Sequence, residues 1–137
     1  MKVFIDTSSL FKRYIDEDGS LELQDLFKTA SQIIVSPVTW LEFNSILSRR
    51  SRDKSLTARQ ISFTISEAKR DFEFYLQIIW NKNLEQAATK LVHRCSLSTL
   101  DGIQLAAGVL SKADIFVTSD KRLFDEANKV IHKTRFI

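Results

Sequence analysis

The chain holds one cysteine, one proline, three glycines and two histidines among its 137 residues. A single thiol excludes an internal disulfide and fits a reducing compartment. Cys95 stands two residues from His93, but two ligands do not make a zinc site, and the thiol reads as a core or half-exposed side chain. The scarcity of proline and glycine argues for a compact, helix-rich chain without long linkers. No apolar run approaches the ~20 residues that span a bilayer, and no basic leader precedes the first apolar run. A cytoplasmic protein with no membrane segment is expected. Length points to a single domain over residues 1–137.

Charge is only mildly unbalanced. A net +3 and an isoelectric point near 9.1 are compatible with a polyanionic partner without requiring one. The densest basic stretch is Arg49, Arg50, Arg52 and Lys54. Such a run is usually a solvated helix end, so it stands as a candidate for contact with RNA or with a second subunit.

What the chain does have is short apolar runs that end in acids. Val3-Phe4-Ile5 is wholly apolar and reads as a strand buried on both faces of a parallel sheet. Asp6-Thr7-Ser8-Ser9 follows at once, at the strand end where open α/β sheets place ligand sites. A short helix is expected over Leu10–Tyr14, then an acidic turn ending at Gly19, then an amphipathic helix over Ser20–Ala30. Ile33–Val35 is a second strand, and Pro37 suits the first turn of a helix running from Val38 to Arg50. A polar, basic break over Ser51–Ser55 leads to a helix from Thr57 to about Tyr75, forming an αα-hairpin with the preceding one. Leu76–Trp80 fits a third strand, although a continuing helix fits the same letters. Further helices are expected over Asn83–Arg94, Ser98–Ser111 and Lys121–Asn128. Ile115–Thr118 is a fourth buried strand, and the segment from Val130 to Ile137 supplies an edge strand with His132 exposed. Phe63, Phe72, Phe74 and Tyr75 read more simply as core or subunit-interface residues than as a platform for stacking bases. Strands alternating with helices imply a parallel, three-layer α/β/α domain of four to five strands.

Four acids stand out against this frame. Asp6 and Asp120 each follow a buried strand closely, and each has a plainer reading as a helix N-cap. Glu42 lies on a helical face with Val38 and Ile46 one turn either side, where a carboxylate is costly unless paired; Arg49 is the simple partner. Ala106, Ala107 and Gly108 allow the Ser98–Ser111 helix to pack closely on the sheet. In that helix Asp101 has capping-box spacing from Ser98, so helix stabilisation competes with any role in a site. The topology lets Asp6 and Asp120 meet at one sheet edge with Glu42 nearby, whereas spacing alone does not place Asp101. Four carboxylates together would repel and titrate high unless a cation joined them. Oxygen-only ligands select hard ions such as Mg²⁺ or Mn²⁺. An ion of that kind would activate water against a phosphodiester, with Thr7, Thr118 and Ser119 hydrogen-bonding the carboxylates or the waters.

The ordered set Val3-Phe-Ile-Asp-Thr-Ser-Ser9, Glu42, Leu97-Ser-Thr-Leu-Asp-Gly-Ile-Gln-Leu-Ala106 and Phe116-Val-Thr-Ser-Asp120, with Leu123-Phe124 behind it, resembles the PIN-domain ribonucleases of the VapC toxin type. The resemblance spans nearly the whole chain. It implies a strand order of 3-2-1-4-5 and an endoribonuclease dependent on Mg²⁺ or Mn²⁺. It also implies an RNA substrate, a homodimer and a cognate antitoxin. Metal-binding and catalytic roles then fall on Asp6, Glu42, Asp101 and Asp120. Two positions depart from the type, where Ser98 replaces a frequent Arg and Gln104 a frequent His. A haloacid-dehalogenase-like phosphatase would need an Asp where Ser8 stands, and a receiver domain would need one near Trp80-Asn81. The remaining competitor is a catalytically silent PIN-like module that binds RNA or protein.

Overall fold

The computed structural model describes residues 1–137. Five strands form one parallel sheet: β1 (Lys2–Ile5), β2 (Gln32–Val35), β3 (Leu76–Gln77), β4 (Ile115–Thr118) and β5 (Thr134–Phe136), in the order β3-β2-β1-β4-β5. Seven helices connect them: α1 (Thr7–Phe11), α2 (Ser20–Thr29), α3 (Thr39–Arg52), α4 (Ala58–Phe72), α5 (Lys82–Cys95), α6 (Thr99–Ser111) and α7 (Lys121–Ala127). No helix is long and apolar enough to cross a membrane.

The alternation of side chains along β1, β2 and β4 explains the layers. Phe4, Ile34 and Phe116 face one side and pack with Leu84, Ala88, Ile103, Ala107, Leu123 and Ala127 from α5, α6 and α7. Val3, Ile5, Ile33, Val35, Ile115 and Val117 face the other, against Leu10, Leu23 and Leu26 of α1 and α2. Since both faces are covered, these strands read in sequence as unbroken apolar runs. A third cluster of Phe11, Phe43, Leu47 and Ala68 joins α1 to the α3–α4 hairpin. Asp71 on α4 tightens that joint by accepting hydrogen bonds from Arg13 Nε at 2.7 Å and from the Tyr14 hydroxyl at 3.0 Å.

The elements differ from the sequence expectation where local hydrogen bonds set the boundary. The first helix begins at Thr7 rather than Leu10, because the Asp6 carboxylate accepts the Ser9 N–H at 3.1 Å and starts the helix there. Pro37 precedes the first turn of α3 instead of occupying it; Val38 is the N-cap, and the Ser36 and Thr39 hydroxyls hold the turn at 3.1 Å. Gly19, which ends the acidic turn, is the N-cap of α2 with φ +92°. The expected third strand shrinks to Leu76–Gln77, an edge strand with both residues exposed. Phe72 and Tyr75 are half-buried, whereas Phe63 and Phe74 are exposed. Cys95 is a free thiol of intermediate exposure, and His132 is exposed.

Helix α6 crosses the sheet centre through its small residues. A Cβ on Gly108 would lie 2.5 Å from the Phe116 ring, which is stacked on Phe4 with centroids 5.2 Å apart. Neither ring has room to move, both being about fully buried. Gly108→Val is therefore expected to destabilise the fold by about 1–3 kcal/mol, overpacking outweighing any gain in helix propensity. Urea unfolding measures this, and an unchanged midpoint would contradict the close packing.

Candidate active site

The site is built outward from the junction of β1 and β4. Val3–Ile5 pair with Ile115–Val117, and the Asp6 N–H donates to the Val117 carbonyl at 3.0 Å, so Asp6 continues the ladder to its last rung. Asp6 is 4 % exposed. The Ser8 hydroxyl reaches its two carboxylate oxygens at 2.8 and 2.9 Å, and the Thr118 hydroxyl donates to Oδ2 at 2.9 Å. Thr118 in turn accepts the Asp120 N–H at 3.0 Å. One threonine thus links the acid after β1 to the acid after β4.

Asp120 keeps its plainer role as well, accepting the Leu123 N–H at 2.8 Å as the N-cap of α7. Capping and a place in the site are compatible, because a cap engages one carboxylate oxygen and leaves the other. At Asp101 only half of a capping box forms: its N–H donates to Ser98 Oγ at 3.3 Å, and no bond returns from its carboxylate to the Ser98 backbone.

Glu42 does not pair with Arg49. Its Oε1 accepts from Thr7 Oγ1 at 3.1 Å and from Gln104 Nε2 at 2.6 Å, and Gln104 Nε2 also donates to Thr7 Oγ1 at 2.9 Å. This triangle brings together the residue after Asp6, the first turn of α3 and the second turn of α6. Gln104 lies one residue short of a full turn beyond Asp101, so the same bonds bring the start of α6 to the C-terminal edge of the sheet.

Electrostatics runs through the four acids in sequence. Burial pushes the Asp6 carboxyl up to about 7, against hydrogen bonds from Ser9, Ser8 and Thr118, and the charge of Glu42 adds to the rise. Burial likewise raises Glu42, opposed by Gln104 and Thr7 and assisted by Asp101. Burial raises Asp101, the Ser98 hydroxyl opposes, the charge of Asp120 adds, and Arg122 counteracts. Desolvation, rather than mutual repulsion, is the leading cause in each case.

Several residues stand elsewhere than the sequence suggests. Ser119 does not touch the carboxylates: its hydroxyl contacts Ser9 at 2.9 Å and donates to the Ile137 carbonyl, while its N–H donates to Ser8 Oγ at 3.0 Å. Ser8, adjacent to two residues already singled out, takes the supporting place instead. Its signal was a hydroxyl two positions after an acid, the spacing of a local side-chain turn. The basic residues Arg49, Arg50 and Arg52 near the end of α3 differ in their surroundings. Arg50 is tied to Glu17 and lies over Phe11, and Arg52 donates to Ser48 at 2.9 Å. Arg49 lines a cleft of about 430 Å³ beside Glu42, whose lips are Leu41 and Leu100.

The donor set suits a hard cation, being oxygen throughout. No three acids stand close enough to hold an ion among themselves. An ion here would take fewer carboxylates directly and complete its shell with water, as Mg²⁺ ordinarily does.

The raised Asp6 value also bears on stability. A carboxyl that holds its proton more tightly when folded stabilises the protein fully below its unfolded value of 3.8, and that contribution is lost as pH rises through about 7. In EDTA, wild type should lose stability between pH 4 and 8, by at most about 4 kcal/mol from this group. Asp6→Asn should lack that component and exceed wild type at pH 8. Parallel urea-derived stability curves for the two proteins would exclude the effect.

Comparison with known proteins agrees with this architecture. The PIN domain family profile matches residues 3–130. Among curated protein sequences none matches the chain. The fold is similar to the structure described as a toxin–antitoxin complex from Klebsiella pneumoniae, with TM-score 0.67 and 16 % identity over 89 % of each chain. It is also similar to VapC20 of Mycobacterium tuberculosis, described as a sarcin–ricin loop cleaving toxin, with TM-score 0.68 and 17 % identity over 88 % of this chain and 92 % of that one. VapBC2 of Rickettsia felis, described as bound to a DNA fragment from its promoter, gives TM-score 0.70 at 12 % identity over 100 % of this chain and 99 % of that one. With the profile spanning all but the ends of the chain, and the sheet order and edge acids in place, the chain belongs to the PIN domain family.

Proposed function

We propose that residues 1–137 act as one PIN domain that hydrolyses RNA phosphodiester bonds with the help of Mg²⁺ or Mn²⁺, as the toxin of a toxin–antitoxin pair. The observation that carries this reading is the gathering of four acids from separate parts of the chain: Thr118 links Asp6 to Asp120, and the Thr7–Glu42–Gln104 triangle brings Glu42 and the helix that carries Asp101 to the same sheet edge. Asp6 and Asp120 stabilise the helices they cap, but none of the four acids is in a salt bridge, so their gathering is better explained by a cation than by packing. The descriptions of the Klebsiella and Mycobacterium neighbours support the toxin assignment and a protein antitoxin as partner. A homodimer and a cytoplasmic location belong to the same proposal.

In this reading Asp6, Glu42, Asp101 and Asp120 hold the ion directly or through water. When bound, Mg²⁺ or Mn²⁺ supplies a polarised water and neutralises charge on the phosphate. Ser8 and Thr118 hold Asp6, and Thr118 also receives the Asp120 backbone, so these two acids keep a fixed relation. Thr7 and Gln104 hold Glu42. Arg49, in the cleft beside Glu42, is free to meet RNA phosphates, whereas Arg50 is occupied.

A silent binding module draws its support from the spacing of the acids, no three of which close on an ion. Incubating the protein with structured bacterial RNA in Mn²⁺ and in EDTA separates the readings. The nuclease should give discrete fragments in Mn²⁺ and none in EDTA, and Asp6→Asn and Asp101→Asn should each lower the rate by about 100-fold or more. Asp6→Asn is expected to fold at least as well as wild type, so its loss of activity would not be a loss of structure. RNA binding of equal strength in Mn²⁺ and EDTA, with no cleavage, would favour the silent module.

A further inference from the structure

Gln104 is 2 % exposed, and it holds the one buried side-chain polar atom in the protein without a partner, its carbonyl Oε1. Its Nε2, in contrast, donates twice, to Glu42 Oε1 at 2.6 Å and to Thr7 Oγ1 at 2.9 Å. Thr7 Oγ1, accepting from the amide, passes its own hydrogen to the same Glu42 Oε1 at 3.1 Å. Every donor in this triangle converges on one carboxylate oxygen. Turning the amide over would set its carbonyl against that carboxylate, acceptor facing acceptor. Oε1 is left unpartnered, a loss of stability the buried site tolerates, while one N–H faces Glu42 Oε1 and the other faces Thr7 Oγ1.

The other oxygen of Glu42 is different. Oε2 makes no hydrogen bond within the protein, and it is not among the fully buried unpartnered atoms. The arrangement divides the carboxylate into a held oxygen and a presented one. Glutamine does this without adding charge, so the negative field at the site is left intact for a cation; a lysine or arginine in its place would cancel it.

We propose that Gln104 is a positioning residue: its amide pins Oε1 of Glu42 and thereby presents Oε2 alone to a divalent ion. The inference rests on the reading of the acids as an ion site. It concerns a position that departs from the type of protein the chain resembles, and it gives that departure a physical role.

Calorimetric titration of the full chain with MnCl₂ tests it. Gln104→Met keeps side-chain length and removes both donors, and it should weaken Mn²⁺ binding about 10- to 100-fold, the usual effect of losing a group that orients a ligand. Gln104→His retains an N–H and should recover most of that loss; a histidine variant as weak as the methionine one would count against the donor role. Gln104→Met binding Mn²⁺ as tightly as wild type overturns the proposal while leaving the ion site standing. Wild type taking up no Mn²⁺ defeats the ion-site reading itself, a distinguishable failure. Should Gln104→Met not fold by circular dichroism, Gln104→Asn decides instead: it keeps the amide but draws it back by one methylene from Glu42 Oε1, so weaker Mn²⁺ binding supports the proposal and unchanged binding overturns it.

Discussion

The constraint on which the structure depends is an ionisable group kept in the interior at the end of its central strand. Asp6 extends β1, the middle of the sheet, and lies beneath α1 with almost no access to water. A carboxylate there would be untenable without donors, and the surrounding chain supplies them from Ser8, Ser9 and Thr118. Two of the three come from the residues that begin α1, so the turn that carries the chain off the sheet also solvates the acid. The third comes from β4, which ties the pairing of the two central strands to the state of the site. Sheet order matters here: only because β1 and β4 are neighbours can a threonine on one serve an aspartate on the other.

The remaining acids are placed by helices rather than strands, and each helix is fixed by a different device. Helix α3 is held through Phe43 and Leu47, which bury into the third apolar cluster and leave Glu42 on the adjoining face. Helix α6 is held by close approach. Gly102 meets Val92 on α5, and Gly108 meets Phe116 on β4, at distances no side chain would permit. Small residues thus set how deeply α6 lies, and that depth lets Gln104 reach Thr7 from 97 residues away. The glycines and alanines of α6 are consequently as much a part of the site's geometry as the polar residues.

This division explains what could be read from the chain beforehand. Strands β1, β2 and β4 were visible because burial on both faces leaves a continuous apolar run. β3 was not delimited, because its two residues lie exposed at the sheet edge and only the Ile78 N–H, donating to the Val35 carbonyl at 2.9 Å, continues the pairing beyond them. Asp6, Asp101 and Asp120 stood out as acids at element ends, a local property. Which groups satisfy Glu42 was not legible. The neighbour suggested by helical spacing, Arg49, lines the adjacent cleft, whereas the actual donors, Thr7 and Gln104, arrive through tertiary packing. The support that Ser8 gives Asp6 was likewise not singled out, and Ser119 reaches Asp6 only through Ser8, since its N–H donates to Ser8 Oγ while its hydroxyl donates to the Ile137 carbonyl.

A site of this kind pulls against the fold that carries it. Buried acids raised above their ordinary range weaken the metal-free protein near neutral pH, and an unpartnered amide oxygen weakens it further. The stacked Phe4 and Phe116 rings and two apolar layers offset that loss without touching the chemistry. The separation is physical: one face of the sheet ends in rings and small helix residues, and its C-terminal edge ends in oxygens. Any ion bound there would relieve desolvation at Asp6 and Glu42 together, since the two already feel each other's charge. In the proposed reading, occupancy and stability would be coupled through the same side chains, and a neutral donor such as Gln104 would preserve that coupling where a cationic side chain would satisfy the carboxylates permanently and leave nothing for an ion to do.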